Sequence, residues 1–174
     1  MKLVHINLFK DTRIIVIMVN DEVVEEQGSE QEQCLFCKIS KKEVNSYIVY
    51  EDGLCIAVLD INPVIPGHVL LYAKEHAAVI PQINPKTFAH VLKITRKLSF
   101  ALLKGLKAVG TTIYAANGYA AGQVSPHHLI HLIPRYVDDG AFIDFPKTEQ
   151  KDYPESRAQL KEIFSQLKNM KNKK

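Results

Sequence analysis

Two histidines in one predicted strand are the first residues whose spacing indicates chemistry. His127 and His131 lie in the segment from His127 to Pro134, which we predict to be a strand. Because side chains alternate between the faces of a strand, His127, Leu129 and His131 share one face and His128 lies on the other. Two imidazoles directed at one place beside a glycine-containing loop indicate a functional site. The alternative is that each is a half-buried histidine satisfied by backbone groups.

The motif Cys34-Leu-Phe-Cys37 has a spacing that suits zinc, since two thiolates three residues apart can reach one tetrahedral ion. The pair alone is half a site, so a reactive dithiol and two buried cysteines without a role remain open. Cys55 lies in an apolar run and is expected to fill the core. Three cysteines, an odd number, argue against a disulfide framework and fit a cytoplasmic protein.

Two further features could contact a nucleotide. Asp60 ends a predicted strand immediately before the proline-containing loop 61–67, where a carboxylate could accept hydrogen bonds from ribose hydroxyls or cap a turn. Gly118 and Gly122-Gln123 flank small residues in the loop before the histidine strand. Loops of this kind let backbone amides approach a phosphate, although the signal is weak by itself.

The elements that must position these residues follow from apolar periodicity and turn residues. Asp52-Gly53 predicts a hairpin, and Asn84-Pro85 predicts the N-cap and first residue of a long helix that ends at Gly105 or Gly110. The predicted helices are Cys34–Lys41, the long one, and an amphipathic Ser156–Leu167 before a basic tail. The predicted strands are Tyr47–Glu51, Cys55–Asp60, His68–Ala73, Thr112–Asn117 and His127–Pro134. Together they predict an α+β domain with an antiparallel sheet.

The N-terminal region is less informative. An edge strand is predicted at Leu3–Phe9 or Arg13–Met18, followed by a solvated helix or mobile lead-in over Asp21–Gln33. No small-residue cleavage site accompanies the apolar run 14–19, so we expect no signal peptide.

Composition limits the class of partner. The formal net charge of +3 is mild and much of it comes from the C-terminal tail, so no nucleic-acid partner is expected. No apolar run approaches the roughly 18 to 20 residues that span a bilayer, so no membrane partner is expected either. The 174 residues are sufficient for one domain with a substantial core.

Taken together, five segments resemble the histidine triad (HIT) superfamily. They occur in that family's order and are Cys34–Ile39, Val49–Asp52, Leu59–His68, Lys74–His76 and Asn117–Arg135. The resemblance implies a HIT domain over 34–136, between an N-terminal extension (1–33) and a C-terminal extension (137–174). It also implies a fold of five antiparallel strands with one long and one short helix, usually paired as a homodimer.

The resemblance further implies binding of purine nucleotides, with hydrolysis or transfer at the α-phosphate through a nucleotidyl-histidine. It assigns Asp60 to the ribose and His68 to support of the triad. The implied base pocket is Leu35, Phe36, Ile39 and Ile61, and the implied phosphate loop is Gly122, Gln123 and Ser125. Asn117 is a further implied nucleotide-binding residue. Zinc-holding members imply one structural Zn²⁺ on four ligands, which would be Cys34, Cys37, His76 and His127.

The triad departs from the family pattern His-φ-His-φ-His-φ-φ, whose middle histidine is the nucleophile. Counting back from Pro134-Arg135 places Leu129 in the middle position, with His127 first and His131 third. His128 could reach the site only if the strand slipped by one residue. Ala116 stands where the family often has Asn or Gln.

These departures favour a purine-nucleotide-binding protein with an impaired catalytic centre, suited to sensing or sequestration. The alternative is an active hydrolase or nucleotidyltransferase acting on a dinucleoside polyphosphate or nucleoside phosphoramidate, with His131, His68 or a displaced His128 assisting.

Overall fold

The structure, a computed structural model, describes residues 33–141 and 154–171, with side chains of the second segment described over 157–167. The chain divides into two compact units, 1–141 and 142–174. The strands predicted near the N-terminus and nearly all of the predicted segment 21–33 lie outside the described residues.

The described part of the first unit contains one five-stranded antiparallel sheet and two α-helices. The sheet order is β1-β2-β3-β5-β4, so β1 and β4 are the edges. The strands are β1 Ile48–Glu51, β2 Cys55–Leu59, β3 Val69–Ala73, β4 Gly110–Tyr114 and β5 Ile130–Arg135. The helices are α1 Leu35–Ser40 and α2 Pro85–Gly105, and single 3-10 turns lie at Ile80–Gln82 and Tyr119–Ala121. The predicted α+β class and antiparallel sheet are confirmed.

The two helices cover opposite faces of the sheet, and its central strands are therefore buried on both sides. Strand alternation sends Cys55 and Ala57 of β2 toward α2, and Ile56 and Val58 toward α1. The α2 side is completed by Val91, Ile94, Leu102 and residues of β3 and β5. The α1 side is completed by Cys34, Phe36, Cys37, Ile39, Leu70, Tyr72 and Leu129. The Cys-x-x-Cys segment therefore belongs to the same core as Leu129.

Asp52 holds the β1–β2 hairpin and ties it to α2. Its Oδ1 accepts hydrogen bonds from the N–H groups of Leu54 and Cys55, at 2.8 and 2.9 Å. Its Oδ2 accepts from the Tyr50 hydroxyl at 2.7 Å and from His90 Nε2 at 2.6 Å. Burial opposes ionisation, but these donors together hold the pKa of Asp52 well below its usual range. The hairpin predicted at Asp52-Gly53 is confirmed.

The long helix begins as predicted and ends at the first of the two expected glycines. The Asn84 side chain accepts a hydrogen bond from the Lys86 N–H at 2.9 Å, and Pro85 occupies the first turn. The helix includes Gly105 and is capped by Leu106, whose N–H bonds the carbonyl of Leu102.

The predicted bounds of the fourth and fifth strands were wrong. The fourth strand covers Gly110–Tyr114 rather than Thr112–Asn117, and the fifth begins at Ile130 rather than His127. The reason is the ladder: Gly110 pairs with Arg135 and Tyr114 with His131, and β3 pairs with β5 only from Ile130 to Leu132. Beyond these pairs the chain turns away at Gly118, which has a φ of +98° that favours glycine.

The second unit contains α3, Pro154–Lys171, which includes the helix predicted over 156–167. None of the described helices is both long and apolar enough to cross a membrane.

Candidate functional site

A cleft of about 100 Å³ opens where β5 begins. It is lined by Tyr114, Ala116, Gly122, Gln123, Val124, Ser125, His127, Leu129 and His131. The alternate residues of the histidine segment all line it, although His127 and Leu129 precede the strand. The alternation expected from the sequence therefore continues into the approach to β5.

His128 faces away from this cleft. Its ring lies 6.4 Å from that of Phe88 on α2, and its N–H donates to the Ala77 carbonyl at 2.7 Å. Its Nε2 is buried and has no hydrogen-bond partner among the described residues. The segment is thus not slipped by one residue, and Leu129 occupies the cleft position between His127 and His131.

A chain of three polar side chains leads from the sheet to the cleft. Asp60 Oδ2 lies 3.2 Å from His68 Nδ1, and His68 Nε2 lies 3.1 Å from His131 Nδ1. If His68 Nδ1 carries the proton and donates it to Asp60, then His68 Nε2 has a lone pair and must accept from the Nδ1–H of His131. The lone pair of His131 is then on its Nε2. The Val64 N–H, 3.4 Å from the same Nδ1, is the longer contact and competes weakly.

Burial keeps these imidazoles neutral. Desolvation, and then the neighbouring His68, lower the pKa of His131 to about 4, while Asp60 acts in the opposite direction. Burial also lowers the pKa of His68, against the attraction of Asp60. Both imidazoles are therefore neutral at neutral pH, and each has a lone pair that can accept a proton, although burial makes it a weaker base than a free imidazole.

Four side chains, His127 of the cleft among them, converge on the α1 side of the sheet. The ligand atoms of Cys34, Cys37, His76 and His127 all lie within 4.8 Å of one another. Cys37 Sγ is 3.2 Å from His76 Nδ1, and His127 Nδ1 is 3.5 Å from Cys34 Sγ and 3.7 Å from Cys37 Sγ. A tetrahedral zinc with ordinary Zn–S and Zn–N bond lengths separates sulfur from nitrogen by about 3.6 Å.

The surroundings of this cluster also suit a metal. His127 Nε2 lies 2.9 Å from the Ala73 carbonyl, which fixes a proton there and leaves the Nδ1 lone pair directed at the thiols. Burial, and then the neighbouring Cys34, raise the pKa of Cys37 to about 11. The Cys37 thiolate would need a bound cation to exist in this place at neutral pH, and two thiols with two imidazoles form a donor set that zinc prefers.

The side chains of the predicted phosphate loop hold it in place through hydrogen bonds within the loop and to residues 78–80. The Gln123 side chain donates to the carbonyls of Ala78 and Ser125, both at 2.7 Å, and accepts from the Gly118 N–H at 2.7 Å. The Ser125 hydroxyl accepts from the His127 N–H at 3.1 Å. Asn117 Oδ1 accepts from the Ile80 N–H at 2.8 Å, and Asn117 does not line the cleft. Gly122, Gln123 and Ser125 do line it.

The four residues expected to form a base pocket are divided between core and surface. Phe36 and Ile39 are buried, and the Phe36 ring packs edge-on against Tyr72 at 5.0 Å. Leu35 and Ile61 are 46% and 78% exposed. None of the four lines the 100 Å³ cleft.

Sequence reasoning missed Tyr114, whose ring stacks on His131 with centroids 4.3 Å apart and planes 12° from parallel. The two residues are direct partners in the β4–β5 ladder. A correct register for β4 would have paired them, because cross-strand neighbours share a face.

Comparison with known proteins agrees with this fold. The family model described as the HIT domain matches residues 41–138, more than half of the chain. The protein therefore belongs to the HIT family.

Three relatives show the range of the likeness. A HIT-like protein of Borreliella burgdorferi is 45% identical over 109 residues, which cover 62% of this chain and 78% of that protein. The adenosine 5′-monophosphoramidase hnt1 of Schizosaccharomyces pombe is 32% identical over 143 residues, 78% of this chain and 98% of that one. The zinc-bound histidine triad family protein of Mycobacterium smegmatis superimposes with a TM-score of 0.60 at 28% identity, covering 80% of this chain and 99% of that one.

Proposed function

We propose that this HIT protein binds a purine nucleotide at the cleft and turns it over slowly at most, as a sensing or sequestering protein would. The observation that carries the proposal is Leu129 in the cleft between His127 and His131. A leucine side chain has no lone pair with which to attack phosphorus. Loss of a catalytic nucleophile costs on the order of 10⁴ to 10⁶ in rate in other covalent enzymes.

The binding half of the site supports the proposal. Asp60 remains beside His68 and the glycine loop still borders the cleft. Asp60 would accept hydrogen bonds from the ribose, with Leu35 and Ile61 as exposed apolar walls for the base. Phe36 and Ile39 would support those walls from the core.

The experiment separates binding from turnover. The purified protein is incubated with adenosine 5′-phosphoramidate and with diadenosine tetraphosphate, and AMP release is measured beside direct AMP binding. Micromolar binding without release above background is expected. Rapid release from the unaltered chain would contradict the proposal. His128→Ala is the matched control, since His128 lies next to Leu129 but faces α2, and it should change neither result.

The alternative, an active hydrolase, is favoured by one observation, the hydrogen-bonded chain from Asp60 through His68 to His131. Such a chain would let His131 Nε2 accept a proton from an attacking water. The relative in S. pombe is a phosphoramidase. If release occurs and His131→Ala abolishes it while His128→Ala does not, this alternative replaces the first proposal.

We also propose that Cys34, Cys37, His76 and His127 hold one structural Zn²⁺. A closed four-ligand shell would fix α1 to the sheet and would leave no open position for chemistry. The zinc-bound relative in M. smegmatis supports the choice of metal. Metal analysis should find one zinc per chain in the native protein and in Cys55→Ala, whose thiol lies on the other face of the sheet, but none in Cys37→Ala. Metal-free native protein would remove this proposal.

We propose that the protein forms a homodimer through β4. This strand is a sheet edge, and Ile113 and Tyr114 on it are partly exposed. An unpaired edge with apolar side chains is a surface on which a second copy could extend the sheet. Light scattering should give the mass of a dimer, and Ile113→Lys should give a monomer. A monomeric native protein would refute the proposal.

A further inference from the structure

The outer face of α2 is uniformly basic. The helix contains five Lys or Arg residues and no Asp or Glu. All five are exposed, and together we call them the basic row: Lys86, Lys93, Arg96, Lys97 and Lys104. At the pitch of an α-helix they fall within an arc of about 100° and along a length of about 27 Å. The net charge of +3 predicts no nucleic-acid partner because it is summed over the whole chain, whereas this one face carries five positive charges.

The basic row is not neutralised by the protein itself. Among the residues that the structure describes, no carboxylate forms an ion pair with any member of the row. Asp52 and Glu75 approach α2, but Asp52 bonds His90 and Glu75 accepts a hydrogen bond from the N–H of Asn84. Like charges three and four residues apart on a helix repel one another. A polyanion bound along the row would relieve this repulsion.

An exposed aromatic ring lies in the middle of the same arc. Phe100 is 62% exposed, and Lys104 Nζ lies 6.0 Å from its ring centroid. Apart from Ala89 it is the only apolar residue of α2 on this arc, since Leu92 lies outside it, on the side of Ser99 that faces β4. A helix that binds a lipid surface usually buries several apolar side chains. One ring among cations better suits a nucleic-acid base stacked between phosphate contacts.

We propose that the basic row and Phe100 bind single-stranded nucleic acid, with phosphates on the five cations and one base stacked on the ring. The helix covers the sheet face opposite to the one that carries Leu129 and the cleft. The inference therefore goes beyond the proposed nucleotide binding, and either can fail without the other.

The test is fluorescence anisotropy of the full chain with a labelled single-stranded oligonucleotide of mixed sequence, about 12 nucleotides long. Five phosphate contacts give a slope of about −3.5 in a plot of log affinity against log salt, so binding should weaken about 100-fold between about 50 and 200 mM NaCl. AMP should not displace the oligonucleotide, because the cleft lies on the other face of the sheet. Absence of binding at about 50 mM salt, displacement by AMP, or tighter binding to phosphatidylserine vesicles than to the oligonucleotide would each overturn the proposal.

Variants separate the row from the charge of the whole chain. Lys93→Gln with Lys97→Gln should make the salt slope shallower by about 1.4. Lys41→Gln with Lys161→Gln is the matched control, since it removes the same charge from exposed positions outside α2, and its slope should stay unchanged. Equal changes of slope in the two pairs would show a general effect of charge and contradict the proposal.

The ring is tested by a variant that leaves the charge intact. Phe100→Ala should weaken binding at least about fivefold without changing the salt slope, because stacking does not release counter-ions. Phe100 is exposed, so the fold should be retained, and circular dichroism checks this. Unchanged affinity of a folded Phe100→Ala protein would contradict the stacked base.

Discussion

Replacing Leu129 with histidine tests whether one side chain separates this cleft from an efficient catalytic centre. Leu129 is 9% exposed and packs with the core on the α1 side of the sheet while its side chain lines the cleft. Histidine has a similar volume, so Leu129→His should place an imidazole between His127 and His131 with little displacement of neighbouring groups.

The magnitude follows from two opposing effects. Substituting a largely buried leucine by a polar ring should destabilise the fold by about 1 to 3 kcal/mol, which a domain of this size tolerates. A restored nucleophile could recover up to about 10⁴ in rate, or about 5.4 kcal/mol of barrier. Ala116 remains apolar, so the transferred phosphate still lacks one polar contact. We therefore expect a gain of at least about 100-fold, with a larger gain in the double variant that adds Ala116→Asn.

The assay is AMP release from adenosine 5′-phosphoramidate, with single-turnover measurements to detect a nucleotidyl-protein. His128→Ala in the Leu129→His background should leave the gain intact, because His128 packs against Phe88. A Leu129→His protein that folds, binds AMP and shows no gain would refute the assignment of position 129 to the nucleophile.

Three further predictions concern stability. Asp52→Asn should lower the free energy of unfolding by about 2 kcal/mol at pH 7, because it removes charge-assisted bonds to Tyr50 and His90. The pKa of Asp52 is lowered in the fold, so this difference should be present above about pH 4 and diminish below it; a difference that grows in acid would contradict the role. Burial lowers the pKa of His131 to about 4 from about 6.5, so the unfolded chain takes up a proton first and stability should fall as the pH drops from 6.5 to 4. The urea midpoint of His131→Gln should change less between pH 6.5 and pH 4 than that of the unaltered protein. An equal change in the two proteins would show that His131 is not the cause. Gly67→Ala should cost about 1 to 3 kcal/mol, since its φ is +92° and a Cβ would lie 2.5 Å from Leu106 Cδ1; an unchanged melting temperature would contradict this.

Local signals allowed much of the fold to be predicted. Asp52-Gly53 and Asn84-Pro85 act within a few residues of themselves, so the hairpin and the start of α2 could be read directly. The ends of β4 and β5 could not, because a strand stops where its partner stops. The partner of each end, Arg135 for Gly110 and His131 for Tyr114, is distant in sequence.

The same difference between local signals and distant partners explains which features of the site could be predicted from the sequence. Strand alternation predicted that His127, Leu129 and His131 share a face, and the cleft contains all three. The roles of Asn117 and Gln123 as loop braces depend on partners 37 and 45 residues away, at Ile80 and Ala78. No local pattern reveals such partners. Both side chains hold backbone groups in the structure, which the sequence did not reveal, and the assignment of Gln123 to the phosphate stays a prediction.

The sheet order has a consequence for how the protein assembles. Strands β1, β2 and β3 pair with their neighbours along the chain, whereas β5 must close against β3 across the whole of α2 and β4. The contacts that complete the site span 63 residues between His68 and His131, and 93 between Cys34 and His127. Closing loops of this length is slow relative to forming local hairpins, so docking of β5 should be a late step.

Half of the site would therefore exist before the other half arrives. Asp60 and His68 adjoin the early strands, and His127 and His131 come with the last one. Thiol labelling during refolding should show Cys55, buried within β2, protected before Cys34 and Cys37. Simultaneous protection of all three would argue for a single concerted step. Nucleotide binding and zinc binding would then both require the same late step, the pairing of β5 with β3 and β4.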